Sequence, residues 1–491
     1  MKSKVLFTLF LALVFASLTY AQQPGEISYH DESVLPEGRT GERIEAAIQT
    51  VNAGTADAVR RFIASHCSPQ FQGMAPMERH VAVFLRTHRE TGGMTFHSVR
   101  TYVPERKDET VVILRDRNYE TWQAIVFRFT PGPERLIDGL FFTEARTPSN
   151  VTEPPLTEQE ALSEIEKTME RLIAKDIFSG TVLLAREGEV LYRKAAGEAS
   201  KRFHVANRID TKFNLGSMNK MFTSVAIVQL KEAGKLAFED TIDRYVDETW
   251  LPREITSKIT VHHLLSHTSG LGSYFNDTYA RSSKNLFRRL DDYKVLIRDE
   301  KPAFTPGERF QYSNTGMFLL GVVIESVTGT DYFDHIREHI YKPAGMVNSD
   351  CYEMDHPVEN LAIGYSPDPG PTGWQNNLYK HVIKGGPAGG GFSTVEDLHR
   401  FARALLAGKL VSNESLKTLW TDYAGAGYGY GFGLDHGEAG LVVGHGGGFD
   451  GINANLDIFV DRGYIVAVMS NVDLGASPLA RKIARLLHRV K

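Results

Sequence analysis

The spacing of apolar residues divides the chain into two regions, each of which predicts a folded domain. In the first region, residues 41–66 repeat apolar side chains at helical spacing. Four later segments alternate apolar and polar positions as strands do, at 95–102, 110–115, 122–129 and 135–142. Helices followed by strands in this order are typical of an α+β domain. We therefore predict a small N-terminal α+β domain over residues 36–146.

The second region predicts a larger domain over residues 158–491. Thr157-Glu-Gln-Glu160 has the pattern of a capping box and predicts a helix that runs to residue 175. Five apolar segments predict strands near the two ends of this region, at 180–185, 190–196, 441–444, 452–460 and 464–470. A last helix is expected at 478–490. We predict an α/β (α+β) fold in which a five-stranded antiparallel sheet is flanked by helices, with a mostly helical insertion.

A proline-rich segment separates the two regions. Residues 145–155 contain three prolines and almost no large apolar side chain. This composition is typical of a linker, because such a segment has little to bury and its prolines interrupt regular structure. We predict a linker over residues 147–157.

The first 21 residues have the pattern of a secretory signal peptide. Lys2 and Lys4 precede an apolar run over residues 5–14, and Ala21 lies at the expected cleavage position. The segment could instead stay in place as a membrane anchor, although its apolar run is short for a span. We predict removal of residues 1–21, a periplasmic or secreted location, and no stable membrane span after removal.

Composition and charge narrow the possible partners. The formal net charge is −5, and no run of Lys or Arg could follow a phosphate backbone, so nucleic acid is not expected as a partner.

Two cysteines, Cys67 and Cys351, are too few for a disulfide scaffold or a zinc site. Whether they pair stays open, with free thiols favoured. His263 and His267 have a metal-like spacing but no evident third ligand, so we expect a structural role beside the active site, no metal and no cofactor.

The first candidate for chemistry is Ser217-x-x-Lys220, the one Ser-x-x-Lys sequence in the chain. The two residues open an apolar helical segment and lie one turn apart on the same face. A serine hydroxyl needs a base to become a nucleophile, and a lysine amine can serve if burial lowers its pKa. The backbone N–H at a helix start can donate to an oxyanion. Taken alone, the pair could equally be an exposed helix face.

Two further motifs lie downstream. Tyr312-Ser-Asn314 precedes an apolar helix, and its phenol and carboxamide could relay a proton and bind a substrate amide. His445-Gly-Gly447-Gly448 lies between two predicted strands. Its glycines would let a substrate lie against the strand edge, where the substrate could accept a hydrogen bond from a backbone N–H. Taken singly, the first could be a pair that structures a loop, and the second a plain glycine-rich turn.

In this order and spacing, the three motifs resemble those of the penicillin-recognising serine hydrolases. The resemblance is greatest to the branch of class C β-lactamases, D-alanyl-D-alanine carboxypeptidases and related esterases. Leu264-Leu-Ser-His-Thr-Ser-Gly270 and Gly389-Gly-Gly-Phe-Ser393 also resemble that branch. The resemblance covers about residues 160–491 and implies a five-stranded antiparallel sheet flanked by helices. The order of helices and strands in the small domain resembles that of the cone-shaped fold of the ketosteroid-isomerase-like superfamily.

The resemblance also implies roles for the site residues. Ser217 would be acylated, and Lys220 and Tyr312 would handle its proton, which leaves open which of the two is the base. Asn314 would orient the substrate, and His445 would lie near its carboxylate or leaving group. The backbone N–H groups of Ser217 and Gly448 would form the oxyanion hole, with Gly447 beside them.

One departure from the family pattern affects the predicted substrate. The third motif of class C β-lactamases is usually Lys-Thr-Gly, whereas this chain has His445-Gly-Gly447. Without a fixed cation, recognition of a β-lactam carboxylate should weaken, since histidine carries little charge at neutral pH. We predict a hydrolase of peptide, amide or ester bonds in a small molecule or peptide, with a ligand sensor of weak or no activity as the alternative. The substrate, the role of the N-terminal domain and the oligomeric state stay open.

Overall fold

The computed structural model describes residues 28–106, 108–368, 373–437 and 440–491. The predicted signal peptide lies outside these residues. The described chain divides into a smaller unit, 28–172 with Ala484–Lys491, and a larger unit, Ile173–Ile483. Across the described ranges, no helix combines the length and the hydrophobicity that a bilayer crossing needs.

The smaller unit contains one antiparallel sheet and a set of helices that cover it. Its strands lie in the order β1-β2-β3-β4-β5. Apolar side chains of α1, α2 and α4 pack against β3, β4 and β5 to form its core. The elements are β1 Ser28–Glu32, α1 Arg39–Ala53, α2 Ala56–His66, α3 Pro69–Gly73, α4 Met77–Thr91, β2 Met94–Val103, β3 Thr110–Asp116, β4 Trp122–Phe129, β5 Ile137–Glu144 and α5 Glu158–Ala174.

The strand β1 was absent from the predicted sheet of four. Its sequence, Ser-Tyr-His-Asp-Glu, has no apolar alternation, so the pattern gave no signal. It is held by a buried ion pair with β2, in which Arg100 Nε lies 3.0 Å and Nη2 3.1 Å from the two carboxylate oxygens of Asp31. The predicted helical stretch 41–66 is also two helices, because Gly54 ends α1 in the left-handed region at φ 61° and Thr55 caps α2.

The segment predicted as a linker is bonded within the smaller unit. The Leu156 N–H donates to the carbonyl of Arg489 at 2.8 Å, and the Lys491 N–H donates to the carbonyl of Leu156 at 3.1 Å. The predicted capping box is present, since Thr157 Oγ1 accepts from the Glu160 N–H and the Glu160 carboxylate accepts from the Thr157 N–H at 2.8 Å. Residues 147–172 belong to the smaller unit, whereas the sequence predicted that the larger domain begins at residue 158.

The larger unit is built on a six-stranded antiparallel sheet with the order β14-β15-β16-β17-β6-β7. Its strands are β6 Gly180–Arg186, β7 Glu189–Ala196, β14 Gly433–Gly437, β15 Gly440–Phe449, β16 Ile452–Phe459 and β17 Tyr464–Ser470. The five predicted strands are all present. The sixth, β14, is a correction, because its Gly-Leu-Asp-His-Gly sequence offers only one buried apolar side chain.

Helices and short strands complete the larger unit. The helices are α6 Asn219–Glu232, α7 Arg253–Thr256, α8 Val261–Leu265, α9 Asp277–Arg281, α10 Lys294–Ile297, α11 Asn314–Thr328, α12 Tyr332–Ile336, α13 Lys342–Ala344, α14 Val395–Leu406, α15 Asn413–Leu419 and α16 Ser477–His488. The short strands are β8 Glu198–Ser200, β9 Val205–Ala206, β10 Phe213–Asn214, β11 Tyr365–Pro367, β12 Trp374–Asn376 and β13 Phe392–Ser393.

Two of these helices determine where the site lies. Helix α11 is apolar on almost every face, and both α6 and α11 are buried in the core of the larger unit. Their N-terminal ends carry the first and second predicted motifs. The predicted α/β (α+β) class with an antiparallel sheet and flanking helices is confirmed.

Candidate active site

Ser217 lies in a short 3-10 turn, Gly216–Met218, that leads directly into α6. The turn is held by its neighbours: the Gly216 N–H donates to Asn214 Oδ1 at 2.9 Å, and the Gly390 N–H donates to the carbonyl of Gly216 at 3.0 Å. Gly216 has φ 51°, a left-handed conformation that a side chain would strain. Ser217 is half-buried, so a bound substrate could reach its hydroxyl.

Lys220 follows one helical turn later and is fully buried. Its Nζ donates to the carbonyl of Ala388 at 2.6 Å and lies 4.8 Å from the centroid of the Tyr312 ring. Burial lowers the pKa of Lys220 well below its ordinary value, because an ammonium loses its hydration there. An amine that can be neutral near Ser217 is what the predicted base requires.

Tyr312 connects the first motif to the second. Burial raises the pKa of the Tyr312 phenol above its ordinary value, and the nearby side chain of Ser217 opposes this rise. The phenol is therefore protonated at neutral pH and lies close to the candidate nucleophile. The structure thus brings Ser217, Lys220 and Tyr312 together from two distant parts of the chain.

Asn314 is the first residue of α11, and its side chain is buried. Its Nδ2 donates to Ser273 Oγ at 3.2 Å. The preceding Ser313 caps the helix by accepting from the Gly316 N–H at 2.8 Å, and its own hydroxyl donates to the carbonyl of Gly272 at 3.0 Å. These bonds fix the direction of the Asn314 carboxamide.

The third motif lies on β15, which passes directly against the Ser217 turn. A Cβ added to Gly447 would lie 1.9 Å from the carbonyl oxygen of Leu215, and one added to Gly216 would lie 2.8 Å from the Gly448 nitrogen. Along its other edge, β15 pairs with β14 only as far as Gly444. From His445 onward, that edge has no strand partner among the described residues. The arrangement brings the Ser217 turn next to Gly448 and leaves a strand edge for a substrate.

The close approach at Gly447 gives a direct test. Gly447→Ala should push β15 away from the Ser217 turn, which would lower kcat about 100-fold, since displacements of about 1 Å at reacting groups cost this much. The added strain should cost about 1–3 kcal/mol of stability. Gly446→Ala is the matched control, because its Cβ would meet nothing closer than 3.5 Å. Steady-state kinetics would measure kcat of both variants, and urea unfolding would measure their stability. Equal effects in the two variants would contradict the packing argument.

His445 is buried rather than presented to solvent. Its Nδ1 lies 2.5 Å from the carbonyl oxygen of Gly446 and its Nε2 lies 2.9 Å from the Tyr428 hydroxyl. Burial, followed by the nearby charge of Lys220, lowers the pKa of His445 to about 3, against the effect of the Gly446 carbonyl. The ring centroid is 6.4 Å from that of Tyr312. The imidazole is therefore neutral at physiological pH.

His267, for which the sequence predicted a structural role beside the active site, lies next to Tyr312. It is fully buried with φ 57°, and its Nδ1 accepts from the Ser313 N–H at 3.0 Å. Its carbonyl accepts from the Gln311 N–H at 2.8 Å, and its ring lies 4.4 Å from that of Tyr312. His267 thus binds the backbone on both sides of Tyr312, a detail that the sequence did not indicate.

These contacts predict that His267 positions Tyr312 through its acceptor nitrogen. His267→Asn should keep kcat within about tenfold of the wild type, because asparagine tolerates left-handed backbone and can place an oxygen near the Nδ1 position. His267→Leu has a similar volume but no acceptor, so kcat should fall about 100-fold. The check is kcat of both variants, with thermal unfolding as a measure of folding. Equal losses in the two would show that the acceptor is not what matters.

No other cluster within the described ranges has a clear claim to chemistry. His263 forms a capping box with Thr260 at the start of α8, which is a structural role. Glu353, Asp355 and His356 lie near one another at the surface, but both carboxylates are paired with Arg288, whose Nη2 is 2.6 Å from Asp355. Cys67 and Cys351 are buried free thiols.

Known proteins align with the larger unit in both sequence and structure. The sequence model of the beta-lactamase family matches residues 165–490, which include all the predicted site residues. Penicillin-binding protein 4* of Bacillus subtilis (strain 168) is 30% identical over 328 residues, which are 62% of this chain and 71% of that protein.

Solved structures agree with this match. The penicillin binding protein from Bacillus halodurans aligns with a TM-score of 0.60 and 30% identity, over 65% of this chain and 98% of that one. A D-stereospecific amidohydrolase from Streptomyces sp. aligns with a TM-score of 0.54 and 27% identity, over 64% of this chain and 94% of that one.

Proposed function

Because the chain belongs to the beta-lactamase family and is a serine hydrolase, we propose that it cleaves amide or ester bonds through an acyl-enzyme on Ser217. The observation that carries this proposal is the placement of Ser217 one helical turn before the fully buried amine of Lys220, which lies 4.8 Å from the centroid of the Tyr312 ring. A hydroxyl beside such a pair has a route by which to lose its proton during attack.

The proposed reaction has two halves. In the first, Ser217 Oγ attacks the substrate carbonyl carbon while its proton passes to the Tyr312–Lys220 pair. The negative charge that develops on the carbonyl oxygen is stabilised by the N–H groups of Ser217 and Gly448. Collapse of this intermediate breaks the amide or ester bond, and the same pair returns the proton to the leaving amine or alcohol. In the second half, water attacks the acyl-enzyme and Ser217 recovers its proton.

Peptidase, amidase or esterase activity is proposed ahead of efficient β-lactam hydrolysis. The residue at the first position of the third motif, His445, is neutral and buried, so it supplies no fixed cation for a carboxylate. Lys220 is likewise an amine whose charged form is disfavoured by burial. The similarity to the D-stereospecific amidohydrolase from Streptomyces sp. supports an amide substrate of D configuration.

A substrate panel tests this proposal. The panel contains D- and L-aminoacyl amides, simple esters and nitrocefin, and initial rates are measured with wild type and Ser217→Ala. We expect turnover of at least one amide or ester that exceeds turnover of nitrocefin and is lost in the variant. Reversible binding without turnover of any member would favour the sensor alternative instead. Turnover that persists in Ser217→Ala would refute the proposed nucleophile.

We also propose that the protein acts outside the cytoplasm. The proposal is supported by the signal-peptide pattern of residues 1–21, in which two lysines precede an apolar run. Cell fractionation with N-terminal sequencing of the recovered protein would test it, with a new N-terminus after Ala21 as the expected result. A cytoplasmic protein that retains Met1 would contradict it.

A further inference from the structure

The orientation of one peptide group decides whether Gly448 can donate to a substrate carbonyl. Its N–H belongs to the same trans peptide as the carbonyl of Gly447, and in such a group the N–H and the C=O point in opposite directions. The Gly447 carbonyl accepts from Asn453 Nδ2 on β16 at 3.3 Å, so it faces β16. The Gly448 N–H therefore faces the opposite edge of β15, which has no strand partner there among the described residues.

Asn453 contacts this peptide group from the face of the sheet that lies away from the nucleophile. A Cβ on Gly447 would meet the carbonyl of Leu215, so that face carries the Ser217 turn. Ala454 pairs with Gly447 and shares its face, whereas Asn453 lies on the other face because side chains alternate along a strand. The sheet thus separates Asn453 from a bound substrate, and the side chain can act on the reaction only through the peptide group.

The amide of Asn453 makes every hydrogen bond that an asparagine side chain can make. Its Oδ1 accepts from the N–H groups of Ala476 and Ser477, both at 2.7 Å. Its Nδ2 donates to Ser477 Oγ at 2.9 Å and to the Gly447 carbonyl. A backbone N–H can only donate, so the oxygen of the buried amide must face these two groups and the nitrogen must face Gly447.

The peptide group needs such a bond because the residues around it have no side chains. Gly446, Gly447 and Gly448 are consecutive, and glycine adopts backbone conformations that are closed to other residues. Rotation of the peptide group would therefore meet little steric resistance, and it would turn the Gly448 N–H away from a substrate. A donor fixed on the carbonyl opposes this rotation, and hydrogen bonds that share one peptide group also strengthen each other.

We propose that Asn453 is a positioning residue for the oxyanion hole: it holds the Gly447–Gly448 peptide so that the Gly448 N–H points at the carbonyl oxygen of the substrate. The proposal rests on the proposed acyl-enzyme function. The bond matters most when negative charge develops on that oxygen. Its loss should therefore lower kcat and leave KM nearly unchanged.

Asn453→Asp tests the proposal with the smallest change of shape. The introduced carboxylate still accepts from the N–H groups of Ala476 and Ser477 and from the Ser477 hydroxyl, so the tie to the start of α16 is kept. It cannot donate to the Gly447 carbonyl. Because loss of a whole oxyanion donor costs about 10²- to 10³-fold, we expect its misplacement to lower kcat about 10- to 100-fold, with KM within about twofold.

The carbonyl stretch of the acyl-enzyme is a readout that a merely structural role would not move. Hydrogen bonds from the oxyanion hole weaken the C=O bond and so lower its stretching frequency. The probe is para-nitrophenyl pivalate, a bulky ester, prepared with a normal or an isotope-labelled carbonyl carbon. The infrared difference spectrum of the two isolates the acyl group on Ser217. We expect the frequency to be below that of the free ester in the wild type and to rise in Asn453→Asp.

Ser477→Ala is the matched control. It removes another hydrogen bond of the same amide but leaves the one to the Gly447 carbonyl. This variant should keep the carbonyl frequency and the kcat of the wild type.

Each result supports or overturns the proposal. A folded Asn453→Asp with either the frequency or the kcat of the wild type would overturn it, as would an equal change in Ser477→Ala. If Asn453→Asp does not fold, Asn453→Ser decides instead, because its side chain is one atom shorter and should give the same rise in frequency. An unchanged frequency there, or failure of both variants to fold, would overturn the proposal. If no acyl group forms on Ser217 of the wild type, the proposed function itself has failed, which is a separate result.

Discussion

Replacing Ser217 with alanine is expected to abolish hydrolysis while the protein remains folded. Loss of a nucleophile costs between about 10³- and 10⁶-fold in kcat, because the two-step route through the acyl-enzyme is no longer available. The structural cost is small, about 1 kcal/mol, since Ser217 is half-buried and the change removes a single hydroxyl. The measurement is kcat for the best panel substrate, with urea unfolding in parallel.

A second serine on the same helix is the matched control. Ser224 is fully buried in α6, and its hydroxyl has no hydrogen-bond partner among the described residues. Ser224→Ala removes the same atom without touching the site, so kcat should stay unchanged and stability should hold or improve slightly. Similar loss of activity in the two variants would mean that disturbance of the helix, rather than loss of a nucleophile, explains the effect.

Replacing Lys220 with methionine is expected to have the second-largest effect. Methionine has a similar length and no amine, so the helix can keep its packing while the proton acceptor is lost. We expect kcat to fall by about 10²- to 10⁴-fold, the range in which a positioned base contributes. Lys231→Met is the control, because Lys231 is exposed on the same helix, and it should leave kcat unchanged.

The Lys220 variant should also change how stability depends on pH. Burial lowers the pKa of Lys220 in the folded state, so between that pKa and the ordinary value of about 10.4 the unfolded chain binds more protons. The stability of the wild type therefore rises with pH in this window and is lost as pH falls. Relative to Lys220→Met, the free energy of unfolding should rise by up to about 1.4 kcal/mol per pH unit. Parallel pH profiles for the two proteins would show that Lys220 has an ordinary pKa.

Much of the fold could be predicted from the sequence because its strands and long helices bury apolar residues in regular patterns. Strands β6, β7, β15, β16 and β17 were all predicted, and four of the seven residues of β17 are aliphatic. Two of the edge strands, β1 and β14, were not predicted, since neither has an apolar alternation and β1 pairs with a strand far along the chain. The buried pair of Asp31 and Arg100 illustrates this for β1, because nothing near Asp31 in the sequence signals a strand.

The site, like the fold, was predicted where the signal is local in the sequence and missed where it depends on distant contacts. Its three motifs were predicted because each combines reactive side chains with glycine or a helix start, and their order resembles a known family. A structural role was predicted for His267, but the hydrogen bonds of His267 and Tyr428 could not be predicted, because they form only after folding. His267 binds the Ser313 N–H from 46 residues away, and Tyr428 binds His445 from 17 residues away. The lowered pKa of His445 follows from burial and from the nearby charge of Lys220, neither of which can be read from a His-Gly-Gly sequence.

The most direct test is to trap the covalent intermediate on the wild-type protein. A slowly hydrolysed ester or a fluorophosphonate is added, the reaction is quenched in acid, and the digested peptides are analysed by mass spectrometry. We predict one added acyl or phosphonyl group, located on Ser217. Substrate turnover with Ser217 unmodified, or modification of a different residue, would contradict the account.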